Sequence, residues 1–279
     1  MRTVDQIKEL TKRLAMIGYH FFEQEPVITA FDIETAPNTA HVWGLFKQNI
    51  GLNQIMETGR VMCFAHQQVR IVKGKAKAVG KCQFKSELEG HEEMIFKAWQ
   101  LLDAADFVVH YNGARFDVPT LNREFLKYGL NPPSPYVQID LLRTARKEFK
   151  FMSNKLDHLL RFLGIGGKVR HVGHEMWVQC MAGDPVMWKL MERYNRGDVT
   201  KLIKLYNKMI PWIKNHPSVA LYRDYNEKPT CKCGSTNLEY KGIGGSSSLP
   251  YRRYRCRDCG SPVQGRFAEP RSDRRNILK

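Results

Sequence analysis

Apolar residues recur at helical spacing from Val4 through Ile7, Leu10 and Leu14 to Ile17. The pattern predicts an amphipathic helix over 3–23, closed by Pro26. The period then changes. Val27–Ile33 is a short, almost continuous apolar run that ends in acidic residues, the mark of a buried strand. After a loop through Pro37 and Gly44, the run VMCFAHQQVRIV within 60–72 predicts a second strand, and a turn-prone, lysine-rich stretch over 73–81 leads to a third extended segment. Ser86, with Glu89 three positions on, makes a capping box for a helix reaching about Ala104. FVVH at 107–110 predicts a strand ending in a Tyr111-Asn112-Gly113 turn. A helix over 118–128 closed by Gly129, a break at Asn131-Pro-Pro-Ser-Pro and a short strand at 137–139 come next. Helices are then expected over 141–149, 155–163 and 185–210, with a glycine-rich basic loop at 164–173. Strands first, then helices alternating with strands, predict an α/β fold with a mixed sheet flanked by helices.

Near residue 225 the composition shifts to Gly, Ser, Cys and Arg, which divides the chain. The expected organisation is a helix over 1–24, a large domain over 25–212, a linker over 213–229, a cysteine-bearing unit over 230–265 and a basic, disordered tail over 266–279. Hydrophobic residues make up 43% of the 279, enough for a real core. No run approaches the ~20 apolar residues of a membrane span, so no membrane association is expected. The start, MRTVDQIKELTKRL, lacks a signal-peptide core, and a cytosolic protein is expected.

Charge narrows the partners. The net charge is +16, from 44 Lys and Arg against 28 Asp and Glu, and a surplus of that size favours a polyanion, nucleic acid above all. Residues 228–279 hold 12 basic and 4 acidic side chains, so about half of the surplus sits in the last fifth of the chain.

Three segments carry carboxylates in suggestive settings. In Phe31-Asp32-Ile33-Glu34-Thr35, alternation along a strand puts Asp32 and Glu34 on one face, where a divalent ion with oxygen ligands would offset their repulsion. In His110-Tyr-Asn-Gly-Ala-Arg-Phe-Asp117, the aspartate stands at the start of a helix, which by itself reads as an N-cap. In Tyr194-Asn-Arg-Gly-Asp198, the tyrosine and aspartate share one helix face. Gly197 costs that helix roughly 1 kcal/mol relative to alanine and clears space beside the acid.

In order, FDIET, NGARFD and YNRGD resemble the three motifs of the DEDD 3′→5′ exonucleases, in the branch with a tyrosine four residues before the last aspartate. The likeness is nearest to the proofreading domain of family B DNA polymerases and to stand-alone, often phage-encoded relatives. The histidine branch would carry its histidine where this chain has Arg193. The resemblance covers about 25–212 and implies a ribonuclease H-like fold with two catalytic Mg²⁺ or Mn²⁺ ions. It implies that Asp32 bridges both ions, that Glu34 and Asp198 hold the nucleophile-side ion, and that Asp117 serves the other. Tyr194 would orient the attacking water. DNA is the expected substrate, more than RNA, although the carboxylate motifs do not read a 2′-hydroxyl and an exoribonuclease stays open, as does a nucleic-acid binding or recruitment protein whose nuclease site is secondary. No polymerase domain fits in this length, so proofreading would need a replication or recombination partner chain.

Substrate contacts are expected at Thr35, Asn112, Phe116, Lys155, Lys168 and Arg170, although Asn112 also suits a plain turn and Phe116 reads more readily as core. Lys168, Arg170, His171 and His174 lie in the glycine-rich loop, which reads as a basic flap over a strand backbone rather than as a metal site. Of seven cysteines, Cys63, Cys82 and Cys180 are scattered and expected to be buried thiols. Cys231-Lys-Cys233 and Cys256-Arg-Asp-Cys259 are paired, each pair followed by glycine, and alternating segments at 237–241 and 251–255 could form a hairpin between them. Four thiolates so placed suit one structural Zn²⁺, and the segment resembles a zinc ribbon whose first pair is one residue short of the usual spacing. Arg252, Arg253 and Arg255, interleaved with Tyr251 and Tyr254, suit nucleic acid, with protein recruitment as the competing use.

Overall fold

The computed structural model describes residues 25–223, 228–245 and 249–269. The helix expected over 1–24 and most of the tail expected over 266–279 lie outside the described residues. The chain divides into two compact units. One comprises Val27–Arg70 and Ala76–Ile213, and the other holds Ile71–Lys75 with the described residues from Lys214 onward, Glu25 and Pro26.

The larger unit is built on strands β1 (Ile28–Thr35), β4 (Val61–Val72), β5 (Lys75–Ser86), β6 (Phe107–His110) and β7 (Val137–Asp140), in the order β5-β4-β1-β6-β7. A separate two-stranded pairing joins β2 (Thr39–Ala40) and β3 (Ile55–Glu57). β1 pairs antiparallel with β4 and parallel with β6, and β6 pairs parallel with β7. The sheet is therefore mixed, as expected. β1 stands in its middle and is buried on both faces through most of its length, which accounts for its unbroken apolar run.

The lysine-rich stretch expected as a turn is mostly strand. Only Lys73-Gly74 turns, with φ of 46° and 71° at the two positions. That is a two-residue hairpin in which both residues are left-handed, a geometry glycine takes at no cost. A side chain on Gly74 would also run into the backbone of Cys259. β5 is the sheet edge, and its exposed Lys75, Lys77 and Lys81 discourage edge pairing. The expected capping box also fails. Ser86 makes no cap bond, and the chain instead takes a short 3-10 turn over Glu87–Glu89, while Glu87 receives Arg60 through two bonds of 2.6 and 3.0 Å.

The helices are α1 (His91–Asp103), α2 (Asp117–Lys127), α3 (Leu141–Glu148), α4 (Leu156–Phe162), α5 (Glu175–Met181) and α6 (Pro185–Met209). The sequence pattern did not anticipate α5, which is too short to show a period. Met94, Ile95, Ala98 and Leu102 of α1 and Val118, Leu121 and Phe125 of α2 pack with Phe31, Ile33 and Phe64 of the sheet. A second cluster joins Met62 and Cys63 to Met176 and Cys180 of α5 and Trp188, Met191 and Tyr194 of α6. Asp184 starts α6 by accepting the N–H groups of Val186 and Met187, with Pro185 at its first position. Because Phe31 and Ile33 face the first cluster, Asp32 and Glu34 project to the other side of β1.

The smaller unit has a three-stranded antiparallel sheet, β10-β9-β8, from β8 (Leu238–Gly245), β9 (Pro250–Cys256) and β10 (Pro262–Gln264). The expected hairpin is β8–β9. The stretch expected as a linker carries packed residues: His216 and Val219 are buried, and the Val219 N–H donates to the Lys232 carbonyl at 2.8 Å.

Candidate functional site

Asp32, Glu34 and Asp198 meet. One carboxylate oxygen from each lies within 4.8 Å of the others, which brings β1 and α6 together at the end of the central strand. Burial pushes the Asp32 carboxyl well above its ordinary range, and the charges of Asp117, Glu34 and Asp198 push it further. Burial raises Glu34 to about 8, held back by Lys168 and by a hydrogen bond from Trp177. Asp198 is also raised by burial, against the pull of Lys168. Three acids this close and this poorly hydrated disfavour their own ionisation, and a divalent cation with oxygen ligands is the group that would reverse this. Asp198 Oδ1 is buried without a hydrogen-bond partner among the described residues, as a ligand oxygen lacking its ion would be.

Asp117 stands outside this trio. It does not act as the N-cap its position suggested, for it is the first helical residue of α2 and points back to β1, where Oδ1 accepts the Ile33 N–H at 3.2 Å. β6 pairs with β1 only as far as Ala30, so Asp117 takes up a strand N–H beyond the ladder. Burial outweighs this bond and lifts the carboxyl to about 6.

Two partners of the trio were not foreseen. Asn195 is fully buried and donates to Asp32 Oδ2 at 2.8 Å, and to the Asp32 carbonyl at 3.3 Å. Its signal was present, since it lies three residues before Asp198 and so on the same side of α6. Trp177 comes from α5, which the pattern had missed. Lys168, expected at a substrate backbone, lies against the acids. Its ammonium is 2.5 Å from Asp198 and donates to the Tyr194 hydroxyl at 2.9 Å. Burial opposes its charge, yet Asp198 and Tyr194 hold the ammonium above its usual range. What Gly197 admits is the neighbouring loop residue, because a side chain there would touch Val169 Cγ2 at 3.0 Å.

Tyr194 lies one turn before Asp198, and burial pushes its phenol up to about 12. The His171 ring packs edge-on against it at 4.9 Å. Neither His171 nor His174 joins a metal-competent cluster among the described residues. Asn112 sits just beyond β6 with φ of 69°, and its N–H donates to Asp140. Gly113 follows it tightly, since a Cβ there would overlap the buried His110 ring. Phe116 is 46% exposed and is not the core residue it was read as. Thr35 ends β1 half-buried, while Lys155 and Arg170 are exposed. Lys155 precedes α4, and the nearby Asn154 carbonyl accepts the Tyr111 hydroxyl at 2.6 Å. Of the three scattered thiols, Cys63 and Cys180 are buried and Cys82 is only half-buried.

In the smaller unit the four paired cysteines converge, all buried, with their sulfurs within 4.8 Å of one another. The Cys231–Cys259 and Cys233–Cys256 sulfurs are 3.6 and 3.8 Å apart. A tetrahedron with Zn–S bonds of about 2.3 Å has edges of about 3.8 Å, so the cluster fits one such ion. The Ser261 N–H also approaches Cys259 Sγ at 3.4 Å, an approach that steadies a thiolate ligand. Arg252, Arg253 and Arg255 are exposed on β9, and Arg252 pairs with Glu269 at 2.9 Å.

No curated protein matches this chain. Among solved structures, the family B DNA polymerase from the hyperthermophilic archaeon Pyrobaculum calidifontis is similar over 69% of this chain and 26% of its own, with 18% identity and a TM-score of 0.49. The chain thus spans about a quarter of that polymerase. A family model described as the RNase_H superfamily matches residues 56–210, more than half of the sequence and inclusive of Asp117, Tyr194 and Asp198. With a mixed five-stranded sheet flanked by helices and a carboxylate cluster suited to divalent metal, this chain belongs to the RNase_H superfamily.

Proposed function

We propose that the protein is a 3′→5′ exonuclease of the tyrosine branch, hydrolysing phosphodiester bonds at the ends of DNA strands. The meeting of Asp32, Glu34 and Asp198 within 4.8 Å, with Tyr194 one turn away on α6, carries this reading. Asp32, Glu34 and Asp198 would hold Mg²⁺ or Mn²⁺, with Asp117 serving a second ion. Bound there, such ions activate a water and offset charge on the phosphoryl oxygens. Asn195 fixes one oxygen of Asp32 and leaves the other free to ligate. The Tyr194 phenol stays protonated at neutral pH; its oxygen accepts from Lys168, so its proton can hold the attacking water in line. Asn112 and Thr35 would position the strand end, and the exposed Phe116 ring offers a stacking surface for a terminal base. In the second unit, one Zn²⁺ would hold the ribbon while Arg253 and Arg255 grip nucleic acid.

The test uses 5′-labelled single-stranded DNA, duplex DNA and RNA with Mg²⁺ or Mn²⁺. A descending ladder on DNA, lost without divalent ion, is the expected result. A ladder on RNA alone would move the assignment to an exoribonuclease, and cleavage indifferent to metal would overturn it.

A pH dependence follows from the buried acids. Glu34 at about 8 and Asp117 at about 6 stand above their ordinary values of 4.5 and 3.8. The folded, metal-free chain therefore keeps protons that the unfolded chain has released, and its stability falls as pH rises from about 4.5 to about 8. Divalent metal offsets the charge that these acids gain on ionising, so the rise in Tm on adding Mn²⁺ should be larger at about pH 8 than at about pH 5.5. Parallel melting profiles with and without the ion would remove the metal assignment.

A further inference from the structure

A second charged feature begins at Asn112. Asn112 and Asp140 line a cavity of about 440 Å³ whose walls also carry Arg115, Arg143, Arg146 and Lys147. Four cations face one carboxylate. Oδ1 of that carboxylate is already engaged by the backbone N–H groups of Asn112, Leu142 and Arg143, at 3.0, 2.9 and 3.4 Å. Other arginines of this unit do have acidic partners, among them Arg60 with Glu87, Arg161 with Asp157 and Arg196 with Glu192. Among the described residues, the four cations of the cavity form no ion pair. Like charges gathered around a cavity repel until an anion joins them.

The topology says where this cavity lies. β1, β6 and β7 are parallel, so their C-terminal ends share one edge of the sheet. Asp32 and Glu34 stand at the end of β1, Asn112 just past β6, and Asp140 at the end of β7. Two strand spacings, roughly 10 Å, separate β1 from β7. A strand with about 3.4 Å per stacked nucleotide crosses that distance in roughly three nucleotides.

We propose that this cavity is a phosphate-binding subsite for the nucleic-acid strand, holding the backbone roughly three nucleotides from the end seated at the carboxylate cluster. Arg143, Arg146 and Lys147 of α3 and Arg115 before α2 engage the phosphates, and Asn112 joins the subsite to the cleavage site. The assignment rests on the exonuclease reading and gives it a prediction about length: grip on the substrate grows as the strand reaches α3.

The test is fluorescence anisotropy on the full chain without added divalent ion. The probes are labelled oligothymidylates of about eight and of two nucleotides, titrated over a range of salt. The triple variant Arg143→Gln, Arg146→Gln, Lys147→Gln is expected to bind the longer strand about tenfold more weakly and to lower its salt slope by about 2, near 0.7 for each phosphate no longer neutralised. The dinucleotide slope should change by less than about 0.5, because that strand ends short of α3. Arg143→Lys with Arg146→Lys keeps the charge and should keep the slope, which separates lost charge from a damaged fold. An unchanged slope in the triple variant, an equal change at both lengths, or loss of slope in the lysine variant would overturn the subsite. A protein that shows the length-dependent slope yet degrades no strand would sink the exonuclease reading alone. Strand degradation with an unaltered slope in the triple variant would sink the subsite alone.

Discussion

Replacing Asp32 with asparagine should reduce metal-dependent strand hydrolysis by about a thousandfold or more, about 4 kcal/mol of transition-state stabilisation, while the fold survives. Asparagine has nearly the same volume, and its carbonyl oxygen can still accept the Asn195 amide that now reaches Oδ2 at 2.8 Å. What it loses is charge at the point where β1 and α6 bring acids together. The same change should raise the Tm of the metal-free protein, because it removes a carboxylate that burial and three neighbouring acids hold in an unfavourable state. Opposite movements of activity and stability separate a metal ligand from a residue needed for packing, which would lose both. Initial rates on labelled single-stranded DNA and a thermal melt of each protein check this. Activity within about tenfold of the parent would show that Asp32 is not at the chemistry.

The second large effect is expected in the cysteine unit. Cys233→Ser should abolish zinc retention and unfold the three-stranded sheet, because little else holds it. Among the described residues of 228–269, the buried ones are Cys231, Cys233, Cys256, Cys259 and Ser261. No apolar side chain other than the cysteines is fully buried there, and the unit adds only a few from outside that segment, such as Ile71 and Val219. Hydrophobic burial therefore contributes little beside a structural zinc of this type, which supplies about 10–16 kcal/mol of apparent binding free energy. The larger unit keeps its own two clusters around the sheet and should keep its melting transition. Zinc content by elemental analysis, with tyrosine or circular-dichroism melting of the full chain, reads both halves of the claim. Retention of one equivalent of zinc by the variant would sink the four-cysteine assignment. Loss of both melting transitions together would show that the ribbon belongs to the folding core of the whole chain.

Much of the fold was legible where a pattern is local. The apolar run at 27–33, FVVH before a glycine turn and the long 3.6-residue period after Pro185 each became the element they predicted. Alternation was enough to put Asp32 and Glu34 on one face, and a four-residue step aligned Tyr194 with Asp198. Elements whose identity depends on their neighbours were misread. The lysines of β5 suggested a turn, and only the sheet-edge position explains why they form a strand. Ser86 and Glu89 matched a capping box, but Glu87 is held by Arg60, the residue just before β4. The same limit applies to the site. Lys168 lies 30 residues before Asp198, so no spacing rule joins them; a three-residue step aligns Asn195 with Asp198, but its bond to Asp32, 163 residues earlier, follows only from how α6 packs on β1.

The place of β1 between β4 and β6 has one more consequence. A central strand, hydrogen-bonded on both sides and covered on both faces, exchanges its amide protons only when the whole unit opens. Asp32 and Glu34 stand just past the doubly paired part of β1, which ends at Ala30, while β4 pairs with them throughout, so their spacing is tied to the segment that opens last. The loop carrying Lys168 and the edge strand β5 can fray or be nicked by a protease while these two acids keep their spacing. Heat inactivation should then follow the cooperative loss of the whole sheet, and amide exchange at Ile33 should quicken in step with it.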